Sequence, residues 1–243
     1  MKADAGPLGS PIAPGSGRSM REEVQERLRD AIQSVRLPPG HALSENEIVD
    51  MLHVSRTPVR EALQRLTNEG LIHVVPQVGT FVTRMDRARV REALFMREAI
   101  ECAALDRVPD TLHKDDLKSL QRIVADHRRA ARSADAAAIF AADDAFHRAL
   151  LELAGVPGAW RYVREAREMH RRIRALSHAE YDSARRSAAQ HASVVAELAA
   201  GRKSAAVERL RDHIRMNAAL AEDIARRHPE YFNDESHEWR RAM

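Results

Sequence analysis

The spacing of apolar residues changes character near residue 84. Between residues 18 and 83 the period switches twice. Val24, Leu28, Ala31, Ile32 and Val35 fall at helical spacing, and the run stops before Leu37-Pro38-Pro39-Gly40. Ser44-Glu45-Asn46-Glu47 reads as a capping box that opens a short helix through Ile48, Val49 and Leu52, ending by His53. A second helix starts at Ser55 or Thr57, carries Val59, Ala62, Leu63 and Leu66 on one face, and stops at Gly70. Leu71–Val75 and Thr80–Thr83 then read as two strands joined by Pro76-Gln77-Val78-Gly79, a hairpin. Helix, short helix, turn, helix and hairpin make a winged helix-turn-helix.

From residue 86 the helical period holds almost without a break. It predicts six helices, at roughly 86–107, 114–133, 135–153, 158–179, 183–200 and 203–227. Short connections favour an antiparallel bundle. The expected fold is therefore mainly α, an N-terminal winged helix-turn-helix followed by an all-α antiparallel helical bundle. The segments are a flexible leader (1–17), the winged helix-turn-helix (18–84), an all-helical domain (85–228) and a polar tail (229–243).

Composition narrows the classes. At 44% hydrophobic residues the 243-residue chain can build cores, which excludes wholesale disorder. No apolar run reaches the roughly 18–20 residues of a membrane span, so no membrane partner is expected. One cysteine, Cys102, excludes an internal disulfide and a four-cysteine zinc site. The formal charge of +3 points nowhere as a total.

The outer face of the second short-range helix carries Arg56 and Arg60, four apart, beside Thr57 and Gln64, while Val59, Leu63 and Leu66 face inward. Arginines near the start of a recognition helix reach guanine edges in the major groove or clamp phosphates. The run LSENEIVDMLHVSRTPVREALQRLTNEGLIHVVPQVGTFV, residues 43–82, resembles the DNA-binding domain of the GntR family of bacterial transcription regulators. That resemblance implies operator contacts for Arg56, Thr57 and Arg60 and sets Gly79 at a wing tip near the minor groove. The implied partner is a near-palindromic double-stranded DNA operator, read by a homodimer.

In the second half, polar residues intrude on apolar stripes. Asp143 and His147 share a stripe with Ile139, Leu150 and Ala154; His191 lies with Val194, Val195 and Leu198; His213 and Asn217 lie with Leu210, Leu220 and Ile224. Buried carboxylates and imidazoles need partners. Asp143 with His147 could form a plain ion pair and the other two could be hydrogen-bonded core histidines. Alternatively, Asp143, His147, His191 and His213 together suit a divalent transition metal, zinc first, with nickel, manganese or iron also compatible. DDAFHRALLELAG (143–155) and QHASVVAELAAGRKSAAVERLRDHI (190–214) resemble the FCD effector-binding domain, and the resemblance implies that these four residues are the metal ligands.

Four ligands leave room for an effector on the metal, and the resemblance implies a small organic acid or sugar acid. Arg97, Arg174 and Asn217 are candidate effector contacts. Arg97 has an alternative role as the buried ion-pair partner of Glu101, and the His170–Arg174 run could instead be a solvated basic face. The leading reading is a regulator whose operator affinity follows an acid bound at the metal, with no enzymatic activity. A regulator sensing the metal itself or a larger acyl ligand is an alternative, and a metalloenzyme a remote one.

Overall fold

The computed structural model describes residues 6–13, 18–133 and 135–233. The chain divides into two compact units, Met1–Arg87 with His228–Met243, and Ala88–Arg227.

In the first unit, α1 (Met20–Gln33) begins at a reciprocal capping box. Ser19 Oγ accepts from the Glu22 amide, and the Ser19 amide donates to the Glu22 carboxylate. The second helix, α2 (Glu45–Leu52), is capped by Ser44 Oγ, which accepts from the Glu47 amide at 3.4 Å. It ends at His53 in the left-handed region. The third, α3 (Arg56–Asn68), starts after Ser55, whose side chain makes no capping bond. Gly70 at φ +72° turns the chain out of α3, a conformation glycine adopts without strain.

The hairpin is β2 (Ile72–Val75) paired antiparallel with β3 (Gly79–Val82), Ile72 opposite Val82. A two-residue strand, β1 (Ala42–Leu43), adds to the other edge of β3, giving the order β1-β3-β2. Two residues show no period, so β1 was not among the expected elements. Val24, Leu28, Ile32, Ile48, Leu52, Val59, Leu66, Ile72 and Val82 form the core.

Leu8 and Ile12 belong to that same core, so residues 6–13 are docked rather than flexible. The Ile12 amide donates to the Leu52 carbonyl, and the Arg27 and Arg36 guanidiniums donate to carbonyls of Leu8, Ser10 and Pro7. The rest of the expected leader, residues 1–5 and 14–17, lies outside the described residues. The tail is docked too where it is described. The Met85 amide donates to the Tyr231 carbonyl, the Asn233 amide to the Met85 carbonyl, and Phe232 is buried. Residues 234–243 of the expected tail lie outside the described residues.

The second unit is helical: α4 (Arg87–Asp106), α5 (Lys114–Ser133), α6 (Ala136–Leu153), α7 (Trp160–Met169), α8 (Arg171–Tyr181), α9 (Ser183–Ala199) and α10 (Lys203–Arg227). Seven helices are described where six were expected, because the stretch read as 158–179 breaks at His170. There the ring Nδ1 bonds the Ala166 carbonyl at 2.8 Å, the acceptor that the His170 amide would use in a continuous helix. The His170 amide turns instead to Glu168. The α9 helix packs against both α5 and α10, and α6 packs against α5 and also touches α9.

Candidate functional site

The α6 helix sets Asp143 and His147 one turn apart on its inward face; α9 contributes His191 and α10 contributes His213. All four are buried, and one ligand atom from each lies within 4.8 Å of the others. His191 and His213 point their Nε2 atoms at one another because their Nδ1 atoms are engaged elsewhere, while His147 Nδ1 lies against the Glu101 carboxylate without a hydrogen bond. His213 Nδ1 meets the Gln190 carbonyl oxygen at 2.9 Å, and His147 Nδ1 meets the Glu101 carboxylate. His191 Nδ1 lies 3.2 Å from His127 Nδ1, and its ring stacks on Phe146 at 3.8 Å. His191 Nε2 then faces His213 Nε2 at 3.4 Å and Asp143 Oδ1 at 3.5 Å.

Burial dominates the electrostatics. It holds His147 and His191 well below the ordinary imidazole value and His213 down at about 3, so the rings are neutral and their lone pairs available. Burial pushes the Asp143 carboxyl up, but the Arg174 and Arg167 guanidiniums overcome it and keep Asp143 ionised. Both arginines donate to Asp143 Oδ2, leaving Oδ1 to Ser187 Oγ at 3.1 Å and to the cluster. Three neutral imidazole nitrogens and one ionised carboxylate oxygen converging in a dry interior are a donor set that fits a divalent transition metal. The carboxylate and amide behind His147 and His213 are the outer partners that orient such ligands.

Arg97 is almost fully buried on α4. Its Nε donates to Glu101 at 2.7 Å, Nη1 lies 3.1 Å from His170 Nε2, and Nη2 lies 3.3 Å from His147 Nε2. It makes the expected ion pair with Glu101, and it also lines a cavity of ≈ 10 Å³ beside the histidines. Arg174 and Asn217 line the same cavity, with Ser183, Ser187 and His178. Asn217 Nδ2 donates to the His213 carbonyl.

The solvated-face alternative for His170–Arg174 does not hold, since His170 and Arg174 are buried. Sequence reasoning missed Arg167, His170, His127 and Ser187. The signal existed for the first two: Arg167, His170 and Arg174 continue the stripe of Val163, Ala166 and Ile173 at spacings of three and four.

In the first unit Arg56, Thr57, Arg60 and Gln64 are all exposed along α3, opposite buried Val59, Leu63 and Leu66. Arg60 Nε donates to Glu45 at 2.9 Å across the turn. Gly79 is exposed at the hairpin tip, with φ +155°.

The family described as "Bacterial regulatory proteins, gntR family" matches residues 20–82, and the FCD domain matches residues 92–216. A Streptomyces ambofaciens protein described as an uncharacterized HTH-type transcriptional regulator in an unstable DNA locus is 37% identical over 215 residues, 88% of this chain and 89% of its own. The chain belongs to the GntR family. The regulator is also similar to the HTH-type transcriptional repressor RspR of Escherichia coli (strain K12), 29% identical over 89% of this chain and 95% of that one. A solved structure described as a putative GntR transcriptional regulator from Rhodococcus sp. RHA1 superposes with a TM-score of 0.65 at 26% identity, covering 85% of this chain and 99% of that chain. The regulator is a DNA-binding transcriptional regulator of the GntR/FCD type and not an enzyme. Among the described residues no helix is long and apolar enough to cross a membrane.

Proposed function

We infer that the regulator binds its operator as a homodimer through Arg56, Thr57, Arg60, Gln64 and the Gly79 wing tip, and that a small organic acid modulates this binding from a metal site in the helical unit. Asp143, His147, His191 and His213 would hold the ion, with zinc the first choice for three nitrogens and one oxygen. The observation that carries the reading is the buried convergence of those four ligand atoms within 4.8 Å. When bound, a divalent ion supplies an electrophilic position for a carboxylate oxygen.

The anionic character of the effector follows from charge. Arg97, Arg167 and Arg174 are matched by Glu101, Asp143 and Asp144, so the surroundings are neutral before any ion enters. A divalent ion adds two uncompensated positive charges in a low-dielectric interior, and an anion is what relieves them. Arg97, Arg174 and Asn217 border the adjoining cavity, whose ≈ 10 Å³ is room for about one water, so an acid would reach their donors only by displacing these side chains.

The test is metal analysis of the purified protein, followed by thermal shifts with a panel of organic acids, with and without chelator. Zinc at about 100 times its Kd should stabilise by about 2.7 kcal/mol, and at least one acid should add to this and change the operator mobility shift. Absence of any bound or rebinding metal would sink the sensor reading. An acid response that survives chelation would sink its metal dependence.

A further inference from the structure

The β2–β3 hairpin carries no formal charge, although the unit it belongs to binds DNA. From Gly70 to Thr83 there is no lysine, arginine, aspartate or glutamate. Its outer part is aliphatic instead: Val74 is 59% exposed, Val75 36% and Val78 71%. Exposed apolar groups gathered on one short element mark a contact surface. The turn at its end holds side chains outward. The Val78 amide donates to the Val75 carbonyl at 3.1 Å, with Pro76 and Gln77 between them. Gln77 has φ +62°, in the left-handed region, at the turn position that glycine or asparagine usually fills. A glutamine kept there against backbone strain points to a use for its side chain. Both Gln77 and Val78 are exposed at the tip.

We propose that Gln77 and Val78 form an uncharged reading tip that selects A·T pairs in the operator's minor groove. This role rests on the reading that sets the Gly79 tip against the operator. Phosphate attraction does not hold such a tip, since it has no cation to exchange for counterions. What it offers is exclusion and fit. The minor-groove floor of an A·T pair shows only the adenine N3 and thymine O2 acceptors, whereas a G·C pair adds the guanine N2 amino group. An isopropyl group pressed against that amino group strips it of water and returns no acceptor, which is costly for a donor. Against A·T pairs the same group meets no protruding donor and fits the narrower groove. The Gln77 side-chain amide, one residue away, has two N–H groups for the N3 and O2 acceptors. Val78 thus disfavours G·C and Gln77 favours A·T, at base pairs outside the stretch read from the major groove.

Duplexes selected from a random pool by the purified full chain provide the probe. The wild type should enrich A·T pairs on the flanks of its site. Val78→Ser and Gln77→Gly, both at exposed positions, should lose that enrichment and bind the wild-type-selected duplex about tenfold more weakly. Gln77→Gly also gives a sign that a merely structural role does not: it relieves the positive φ, so thermal stability holds or rises while affinity falls. Val78→Lys should erase the A·T enrichment and steepen the dependence of log Kd on log salt by about 0.9 per wing. Unchanged enrichment and affinity in Val78→Ser would overturn the assignment. So would an unchanged salt slope in Val78→Lys. Arg60→Ala separates the two levels: if it leaves binding of the selected duplex intact, the operator reading of α3 itself fails. If it abolishes binding while the tip variants select, bind and respond to salt as the wild type does, only the reading tip fails.

Discussion

Acid should unfold the metal-free helical unit steeply, and the slope reports how many histidines the fold keeps neutral. His127, His147, His170, His178, His191 and His213 are all held below the ordinary imidazole value, in each case first by burial. His178 falls to about 4 and His213 to about 3. A histidine whose folded value is depressed contributes its full stability above the unfolded value near 6.5. That contribution is lost as pH falls from there toward the folded value, because the unfolded chain binds the proton first. Each such imidazole contributes about 1.4 kcal/mol per pH unit, so the six set a ceiling of about 8 kcal/mol per pH unit. Asp143 works in a lower window: its depressed folded value means its contribution is lost only below the ordinary carboxylate range. Against a domain stability of about 5–15 kcal/mol, the histidines alone should bring the unit to its midpoint within about two pH units below 6.5. The assay is guanidinium unfolding in chelator at half-unit steps from pH 7.5 to 5, followed by far-ultraviolet circular dichroism. A slope below about 1.4 kcal/mol per pH unit between pH 6.5 and 5 would mean that fewer than one imidazole is held neutral, and the electrostatic account of the site would be refuted.

Two shorter predictions concern the first unit. Arg60→Ala should abolish the operator mobility shift while leaving stability nearly unchanged, since its pair with Glu45 is a surface ion pair worth about 0–1 kcal/mol; retained binding would remove Arg60 from the recognition face. Leu8→Ala should cost about 2–5 kcal/mol, the range for a fully buried leucine. Hydrogen exchange of α1–α3 amides in the full chain measures this, and a loss under about 0.5 kcal/mol would show that residues 6–13 add little to that core.

What the sequence disclosed depended on whether a residue's neighbours formed a period. The buried convergence of Asp143, His147, His191 and His213 was legible because α6, α9 and α10 are long, and each of these polar residues interrupts an otherwise apolar stripe. The exposure of Arg56, Arg60 and Gln64 was legible for the opposite reason: they are polar where polarity is expected, and only their setting between a capped short helix and a hairpin makes them candidates for operator contact. The pieces that went unread are short or lie at the ends. Ala42–Leu43 has too few residues to alternate. Leu8 and Ile12 sit among glycines and prolines, where two isolated apolar residues say nothing of a long-range contact with α2.

The arginines show the deeper limit. A run such as His170-Arg-Arg-Ile-Arg174 looks like a solvated surface because an unpaired buried guanidinium is prohibitively costly. Burial becomes affordable only when acids from other helices meet it, and those acids are far away in sequence. Arg167 and Arg174 of α7 and α8 are neutralised by Asp143 and Asp144 of α6, while Arg97 is neutralised by Glu101 on its own helix. Only the Arg97 pair is local, at i, i+4, and only that pair was anticipated. The consequence bears on function. Asp143 is shared between the charge balance of two arginines, through Oδ2, and the candidate metal cluster, which Oδ1 faces, so a cation at the cluster would draw on the same carboxylate charge as the arginines of α7 and α8. Those two helices meet at His170, whose ring holds the break and touches Arg97. Through Arg97, which lies 3.1 Å from His170 Nε2 and 3.3 Å from His147 Nε2, the break between α7 and α8 is in contact with the candidate ligand cluster.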